Sequence, residues 1–285
     1  MIFFRPSSGE IRNWNSKSAR RFLSSGAGDL ILNRNRRWKG PVDYGFLSEI
    51  TENLKSLTIM DCNPKVNIQI LEQLELQELT LEVAAECKWP SAFPKSLTEL
   101  KVRLAANCPS LTELPRLRSL RTWGPCTWER IPSFESKDLA GLDLDAPNLK
   151  ELCLKGIPSI KAITISGPKN LQLLKLHDTT KLEELNLLDM RGSVNLAPLE
   201  GLDSLRRFSL DGSRVSTPTL RPITYCKSLD WVFLGRTSVG DGNLSCLGSL
   251  PSLQKIGFND RKANDISFEE FLKKNKVSRI GIKIK

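Results

Sequence analysis

The chain has 285 residues, 40% of them hydrophobic, and a formal net charge of +10 from 42 Lys and Arg against 32 Asp and Glu. Its single histidine leaves little of the usual inventory for acid–base catalysis or metal binding. Its seven cysteines lack a CxxC pair, which argues against a disulfide framework and against structural zinc. No apolar run reaches the roughly 18 residues of a membrane span, and the apolar start is too short for a secretory signal. Composition therefore favours a reduced, cytoplasmic protein, or one secreted by a non-classical route, with no membrane partner.

Residues 1–52 are expected to form an N-terminal cap. Asn15 or Ser16 is placed to cap a short helix, residues 30–32 (LIL) are apolar enough for a strand, and residues 46–50 are typical of a second helical turn. Such a cap is needed because the first coil of a repeat stack would otherwise expose an apolar edge to water.

From Leu54 onward one pattern recurs every 21 to 24 residues: an apolar residue at the first, fourth and sixth places of a short segment. The copies start at Leu54, Leu76, Leu97, Leu139, Ile160, Leu182, Leu205, Leu229, Leu253 and Val277. A degenerate copy at Leu117 has Thr122 at an apolar position. The last two apolar places share one face of a strand, so each copy has one apolar edge that only stacking of the copies can cover.

This pattern resembles the leucine-rich-repeat family over about residues 43–285, and the segment NLKSLTI at 53–59 matches closely. The resemblance implies an α/β solenoid, a horseshoe with a concave parallel β-sheet. Repeats are expected in 53–262, and a C-terminal cap with a final strand in 263–285. The family usually carries Asn or Cys three places after the last strand leucine. Cys62 fits, but most other copies do not, so the turns are expected to pair their backbone groups with water or neighbouring backbone.

The period changes along the chain. Additional copies at Leu149 and Leu171 halve it in the middle, and ten or eleven residues cannot hold a strand, a helix and two turns. The convex side is therefore predicted to be strand-rich there. Later copies are 24 residues long, which leaves room for short helices or 3₁₀ turns toward the C-terminus. Near the end, Ser267 with Glu270 forms a capping-box pattern for one more helix.

One pair of side chains suggests catalytic chemistry. Cys153 on one half-repeat and His177 on the next are expected to lie diagonally on neighbouring strands, and a thiol near an imidazole is a nucleophile pair in principle. No third orienting group or enclosed pocket can be identified around them. We therefore expect a protein that is not an enzyme, with no cofactor and no metal.

The strand residues that flank the inward leucines are where this family customarily binds protein partners. Two aromatic and charged groups stand out there, because exposed aromatics with Arg are the composition of binding hot spots. The predicted contact residues are Lys101, Arg103, Arg121, Trp123, Asp143, Asp145, Arg207, Trp231, Phe233 and Lys255. The basic residues of the first group are expected to face Asp143 and Asp145 one repeat on. Alternatively, Trp123 or Trp128 fills the gap left at Thr122.

The predicted function is a monomeric, non-enzymatic scaffold that binds a protein partner, for which a bacterial effector or the immunity partner of a toxin is one role. One alternative is the recognition module of a multi-subunit ligase or signalling complex. Another is nucleic-acid binding through the basic termini. Residues 1–53 carry nine Lys and Arg against five Asp and Glu, and residues 261–285 eight against three. The intervening repeats are nearly neutral, which weighs against a nucleic-acid partner.

Overall fold

The computed structural model describes residues 2–4, 16–33, 43–124, 126–154, 156–176 and 179–280. The chain forms two compact units by its internal contacts. The first comprises Met1–Gly124 with Phe134–Leu139, and the second Pro125–Ser133 with Ala140–Lys285. In both units each coil adds one strand to a parallel sheet, as the predicted solenoid requires.

The first unit begins with β1 (Ile2–Phe4), which pairs antiparallel with β2 (Asp29–Asn33). Parallel, in-register strands follow: β2 is next to β3 (Ser56–Asp61), then β4 (Glu78–Val83), β5 (Glu99–Arg103) and β6 (Ser119–Trp123). The helical elements are α1 (Ser16–Ser24) and two 3₁₀ turns, Gly45–Ile50 and Gln69–Gln73. The early helix, the strand at 30–32 and the helical turn at 46–50 are thus confirmed, while the cap residue Asn15 lies outside the described residues.

The register explains why the apolar positions recur. Leu57 and Ile59 on β3 are at most 1% exposed and lie beside Leu79 and Leu81 on β4. The residues between them alternate to the opposite, outward face of the sheet. Leu30 and Leu32 pair with Leu57 and Ile59 in the same way, so the parallel stack begins one strand before the first predicted repeat.

The second unit contains twelve named strands and four helical elements within its described residues. In chain order the strands are β7 (Gly141–Asp145), β8 (Glu151–Cys153), β9 (Ala162–Ser166), β10 (Leu173–Lys175), β11 (Glu184–Leu188), β12 (Arg191–Ser193), β13 (Arg207–Leu210), β14 (Arg214–Thr217), β15 (Trp231–Phe233), β16 (Ser238–Val239), β17 (Lys255–Gly257) and β18 (Ser278–Arg279). The 3₁₀ turns are Ala197–Leu199, Arg221–Tyr225 and Ser245–Ser249, and α2 is Phe268–Asn275.

The main sheet of this unit runs β7-β9-β11-β13-β15-β17-β18, with every neighbouring pair parallel. On the connector side of the coils, β8 pairs with β10, and β12, β14 and β16 form a second parallel ribbon. Leu152 and Leu174, the inward residues of the half-repeats, are at most 5% exposed and pair directly. The strand-rich middle and the 3₁₀ turns toward the C-terminus are therefore confirmed.

The turns are satisfied mainly by main-chain atoms of adjacent coils. The Ala84 N–H donates to the Asp61 carbonyl at 3.1 Å, and the Ala146 N–H to the Ser166 carbonyl at 2.8 Å. This confirms the prediction made from the missing Asn positions. Thr237 is a partial substitute for Asn, because its buried hydroxyl donates to the Leu210 carbonyl at 2.6 Å.

The assignment of Cys62 to the family's turn position is wrong. Cys62 is exposed, whereas the preceding residue, Asp61, is 1% exposed. The Asp61 carboxylate accepts a hydrogen bond from the Tyr44 hydroxyl at 2.9 Å and another from the Asn63 N–H at 2.9 Å. Because β3 continues inward to Asp61, the carboxylate rather than the thiol holds this turn.

The last strand is displaced by one residue from the predicted register. The repeat spacing places Arg279 beside Lys255 on the outward face, but Lys255 pairs with Ser278, and Arg279 lies beside Ile256. A one-residue slip reverses the faces of a strand. Arg279 instead lies over the Phe268 ring, 4.8 Å from its centroid, and pairs with Glu269. The predicted cap of α2 is confirmed, since the Ser267 hydroxyl accepts the Glu270 N–H.

Thr122 occupies the inward position where the repeat fails. It is 3% exposed, and among the described residues its hydroxyl has no hydrogen-bond partner. Trp123 alternates to the outward face, so it does not fill the inward position. Trp128 belongs to the second unit.

Candidate protein-binding surface

Trp231 and Phe233, which we call the aromatic platform, lie on the outward face of β15 near the middle of three adjacent strands. In register, Trp231 has Arg207 on one side and Lys255 on the other. Phe233 lies between Ser209 and Gly257 in the same manner. The structure thus brings together all four residues that the sequence predicts for this group.

The Phe233 ring is held in place by small neighbours and lies against the Trp231 ring. Their centroids are 6.0 Å apart with planes tilted by 42°, and both side chains are half-buried. A Cβ atom at Gly257 would lie 2.9 Å from Cδ2 of Phe233, so this ring lies against the Gly257 backbone. Ser209, on the other side of Phe233, is only 2% exposed although it faces outward. The Phe233 ring therefore loses little conformational freedom when a ligand packs on it.

The charges around the aromatic platform are not all neutralised. Arg206 pairs with Asp230 at 2.8 Å. By contrast, Arg207 and Lys255 are exposed and form no ion pair with any residue that the structure describes. Trp231 therefore lies between two cations that form no ion pair with any described residue.

Ionised side chains form a network just beyond the carboxyl ends of β11, β13 and β15. The Arg236 guanidinium lies 3.2 Å from the Asp211 carboxylate and 3.6 Å from that of Asp189, and the Arg236 N–H donates to Asp211 at 2.9 Å. Burial would raise the pKa of Asp211, but the Arg236 side-chain and backbone hydrogen bonds and its positive charge together lower that pKa below its ordinary value. Gly235 permits the contact, because a Cβ there would lie 2.1 Å from an Asp211 oxygen. The Asp211 carboxylate is thus paired within the protein, where it stabilises the fold.

The first unit carries the other predicted basic residues. Lys101 lies beside Arg121, and Arg103 beside Trp123, on the outward faces of β5 and β6. The Lys101 ammonium lies 3.9 Å from the Glu99 carboxylate. These four residues form one group on adjacent strands, with Trp123 half-buried.

Asp143 and Asp145 lie in the second unit, both at half-buried outward positions of β7. Within that unit they are next to Thr164 and Ser166 of β9. That the basic residues of the first unit face these two carboxylates remains a prediction.

A groove beside Phe233 is absent from the sequence prediction. It has a volume of about 630 Å³ and is lined by eight residues: Phe233, Gly257, Phe258, Asn259, Asp260, Phe268, Arg279 and Ile280. Its wall forms because the Phe258 ring packs against Phe268 and Phe271 of α2, with centroids 4.8 and 5.8 Å apart. In the sequence, the signal for this wall was Phe268 and Phe271, the two phenylalanines that follow Ser267.

The possible nucleophile pair is only half described. Cys153 lies on β8 beside Lys175 of β10, as the half-repeat predicts, but His177 lies outside the described residues. Burial raises the pKa of Cys87 and Cys108 to about 12 and those of Cys226 and Cys246 to about 11, so these thiols stay protonated at neutral pH. In the part of the chain that the structure covers, no group of three His, Cys, Asp or Glu side chains is placed to hold a metal ion. Its helices, over the same residues, are too short or too polar to cross a bilayer.

The likenesses of this chain to known proteins include one plant protein and one bacterial protein of solved structure. No protein-family model matches the chain. A probable disease resistance protein of Arabidopsis thaliana is 32% identical over 145 residues, which are 46% of this chain and 12% of that protein. The chain thus spans only a small part of that relative. The crystal structure of an internalin from Listeria monocytogenes aligns with a TM-score of 0.49 at 13% identity, over 88% of this chain and 79% of the internalin.

Proposed function

We propose that this leucine-rich-repeat protein is an interaction scaffold whose second unit binds a protein partner on the outward face of its main sheet, with Trp231 and Phe233 at the centre of the contact. The observation that carries the proposal is the geometry of the aromatic pair: the ring centroids lie 6.0 Å apart, and the Phe233 ring packs against the Gly257 backbone. Aromatic side chains that are ordered before binding give large contact area at little entropic cost. Interface hot spots are enriched in Trp, Tyr and Arg.

The exposed large hydrophobic side chain on the connector side offers a matched control. Tyr225 is 55% exposed on the 3₁₀ turn Arg221–Tyr225, in the same unit but away from the outward strand face. If the strand face binds the partner, Trp231→Ala weakens binding and Tyr225→Ala does not.

The test begins with capture of a partner from the native source, followed by titration of the purified partner against the wild type and both variants. Trp231→Ala is expected to weaken binding by more than about 1 kcal/mol, roughly the hot-spot threshold. Thermal melting is expected to be little changed, because Trp231 is half-buried on the surface of the sheet. Loss of affinity in Tyr225→Ala with wild-type affinity in Trp231→Ala would place the contact on the connector side and refute the proposal.

A second candidate is a recognition module within a larger signalling protein or complex. The 32% identity to a segment of a probable disease resistance protein favours it, since the 145 matched residues are 12% of that protein. It predicts that the captured partner includes a signalling or catalytic subunit. A role as a bacterial effector or as the immunity partner of a toxin predicts a host protein or a toxin instead.

The nucleic-acid alternative depends on the basic ends. Deleting residues 1–40 would remove β2, which pairs with β3, so charge substitutions are a cleaner test. Replacing the exposed Arg20 and Arg21 of α1 by Ala would abolish salt-sensitive heparin binding if the ends contact phosphate.

A further inference from the structure

We infer that the segment bound at the aromatic platform is an acidic stretch of a protein, in which carboxylates flank one large apolar side chain. The inference rests on the proposed function and adds the chemistry of the partner. It follows from which charges on this face are already paired and which are not.

Two carboxylates near this face are already paired with other cations. Asp230 is paired with Arg206 at 2.8 Å, and Asp211 with Arg236 at 3.2 Å. Glu184 lies beside Arg207 in register and keeps its negative charge, since its Oε1 only accepts a hydrogen bond from the neutral Asn186 amide at 2.7 Å, but it forms no ion pair with Arg207.

Other cations of the same sheet do find partners. Lys161 lies 3.4 Å from Glu183, one place before the strands begin, where Arg206 and Asp230 also pair. Lys161, Arg206 and Arg236 are thus paired, whereas Arg207 and Lys255 form no ion pair within the described part of the chain and can bind an external anion. A carboxylate can accept two parallel hydrogen bonds from a guanidinium, which gives orientation as well as attraction. Charges at the edge of an aromatic contact chiefly set partner choice and association rate.

The spacing defines the partner's pattern. Arg207 and Lys255 are two strands apart, roughly 10 Å at the usual strand separation, with Trp231 between them. In an extended segment, every second side chain points to the same face and residues advance by about 3.3 Å. An acidic residue, an apolar residue two places on and an acidic residue two further places on therefore share one face over about 13 Å. The long, flexible side chains of Arg207 and Lys255 can reach outward to span the difference between this length and the separation of their strands.

A single-stranded nucleic acid is the rival ligand, because bases stack on aromatic rings and phosphates bind cations. The carboxylates on the sheet around the aromatic platform argue against a nucleic acid there. Outward positions of the same unit also hold the carboxylates of Asp143, Asp145 and Glu184. A phosphate backbone that continued along the strands would meet these like charges, whereas a short acidic peptide ends at the two cations.

The test uses a random library of displayed peptides, selected on the intact chain. Selected peptides are then measured against wild type, Arg207→Glu/Lys255→Glu and a control double variant, Lys181→Glu/Lys227→Glu. The control makes the same change in net charge at two exposed lysines of the same unit outside the aromatic platform. We expect selected sequences rich in Asp and Glu around an aromatic or large aliphatic residue. We expect the first double variant to lose about tenfold in affinity and the control less than about threefold, an effect that fades with salt. Lysine-for-glutamate versions of the peptides should recover binding to Arg207→Glu/Lys255→Glu.

Three results would overturn the inference. They are a selection without acidic excess or without any binder, equal losses in the two double variants, and tighter binding of an oligothymidine of about ten nucleotides that also needs Arg207 and Lys255. Trp231→Ala separates this inference from the proposed function. If Trp231→Ala abolishes peptide binding but the charge variant does not, only the acidic partner is wrong. If Trp231→Ala has no effect on the selected peptides, the aromatic platform itself is not the binding surface.

Discussion

Replacing Thr122 by Val is expected to stabilise the protein, an unusual direction for a substitution in a core. Thr122 is 3% exposed on β6, and its hydroxyl has no hydrogen-bond partner among the described residues. Leaving a buried donor unpaired costs about 1 to 3 kcal/mol, whereas replacing it with a methyl of similar shape removes that cost. Val also suits the strand, since its neighbour in register on β5 is Val102.

The expected gain in the free energy of unfolding is about 1 to 2 kcal/mol. It is measured by urea denaturation followed through tryptophan fluorescence and checked by thermal melting. Thr237→Val is the matched control, because the Thr237 hydroxyl is also buried but donates to the Leu210 carbonyl at 2.6 Å. That variant should lose about 1 to 3 kcal/mol, since it leaves the carbonyl without its partner.

The opposite signs are the critical result. If both substitutions destabilise the protein by similar amounts, the Thr122 hydroxyl has a hydrogen-bond partner in solution, and the conclusion that it is buried without one is refuted. A change below about 0.5 kcal/mol in Thr122→Val would show that the hydroxyl is not a buried cost at all.

Three further predictions concern the core, the aromatic platform and pH. Leu185→Ala should cost about 2 to 5 kcal/mol in urea unfolding, because Leu185 is 0% exposed on β11, and a loss under about 1 would contradict its core position. Gly257→Ala should displace the Phe233 ring and weaken partner binding, with the displacement read from methyl and aromatic NMR shifts; unchanged Phe233 shifts would contradict the contact. The lowered pKa of Asp211 contributes stability above its unfolded value near 3.8, and this stability should be lost as pH falls through the folded value. A melting series from neutral to acid pH should therefore show a larger loss for wild type than for Asp211→Asn, and parallel curves would exclude the coupling to Arg236.

Much of the fold follows from spacing alone. Each inward leucine falls where the apolar positions place it, and the half-period at Leu149 and Leu171 correctly predicts strands on the connector side. The periodicity succeeds because burial of a repeated apolar edge is the dominant constraint on every coil. Where the last repeat is one residue shorter, the pattern alone gave the wrong face for Arg279, because packing against Phe268 rather than spacing sets the register there.

The candidate site was predictable in part. Register brings Arg207, Trp231 and Lys255 into one row, as the spacing requires. The sequence could not show that Gly257 holds Phe233, or that Asp230 and Asp211 are occupied by other cations. These depend on side-chain contacts between coils, which a one-dimensional pattern does not contain.

The main-chain hydrogen bonds at the turns have an evolutionary consequence. Because the N–H of the half-buried Ala84 bonds to a carbonyl of the adjacent coil, the hydrogen bonding of that turn requires no particular side chain. The exceptions are sites of close backbone approach, such as Gly212, where a Cβ would lie 2.0 Å from the Met190 carbonyl oxygen. Mutations can accumulate at the permissive turns while the coil persists. Repeat proteins whose turns are held by main-chain hydrogen bonds can therefore keep their architecture while the consensus sequence of the turns is lost.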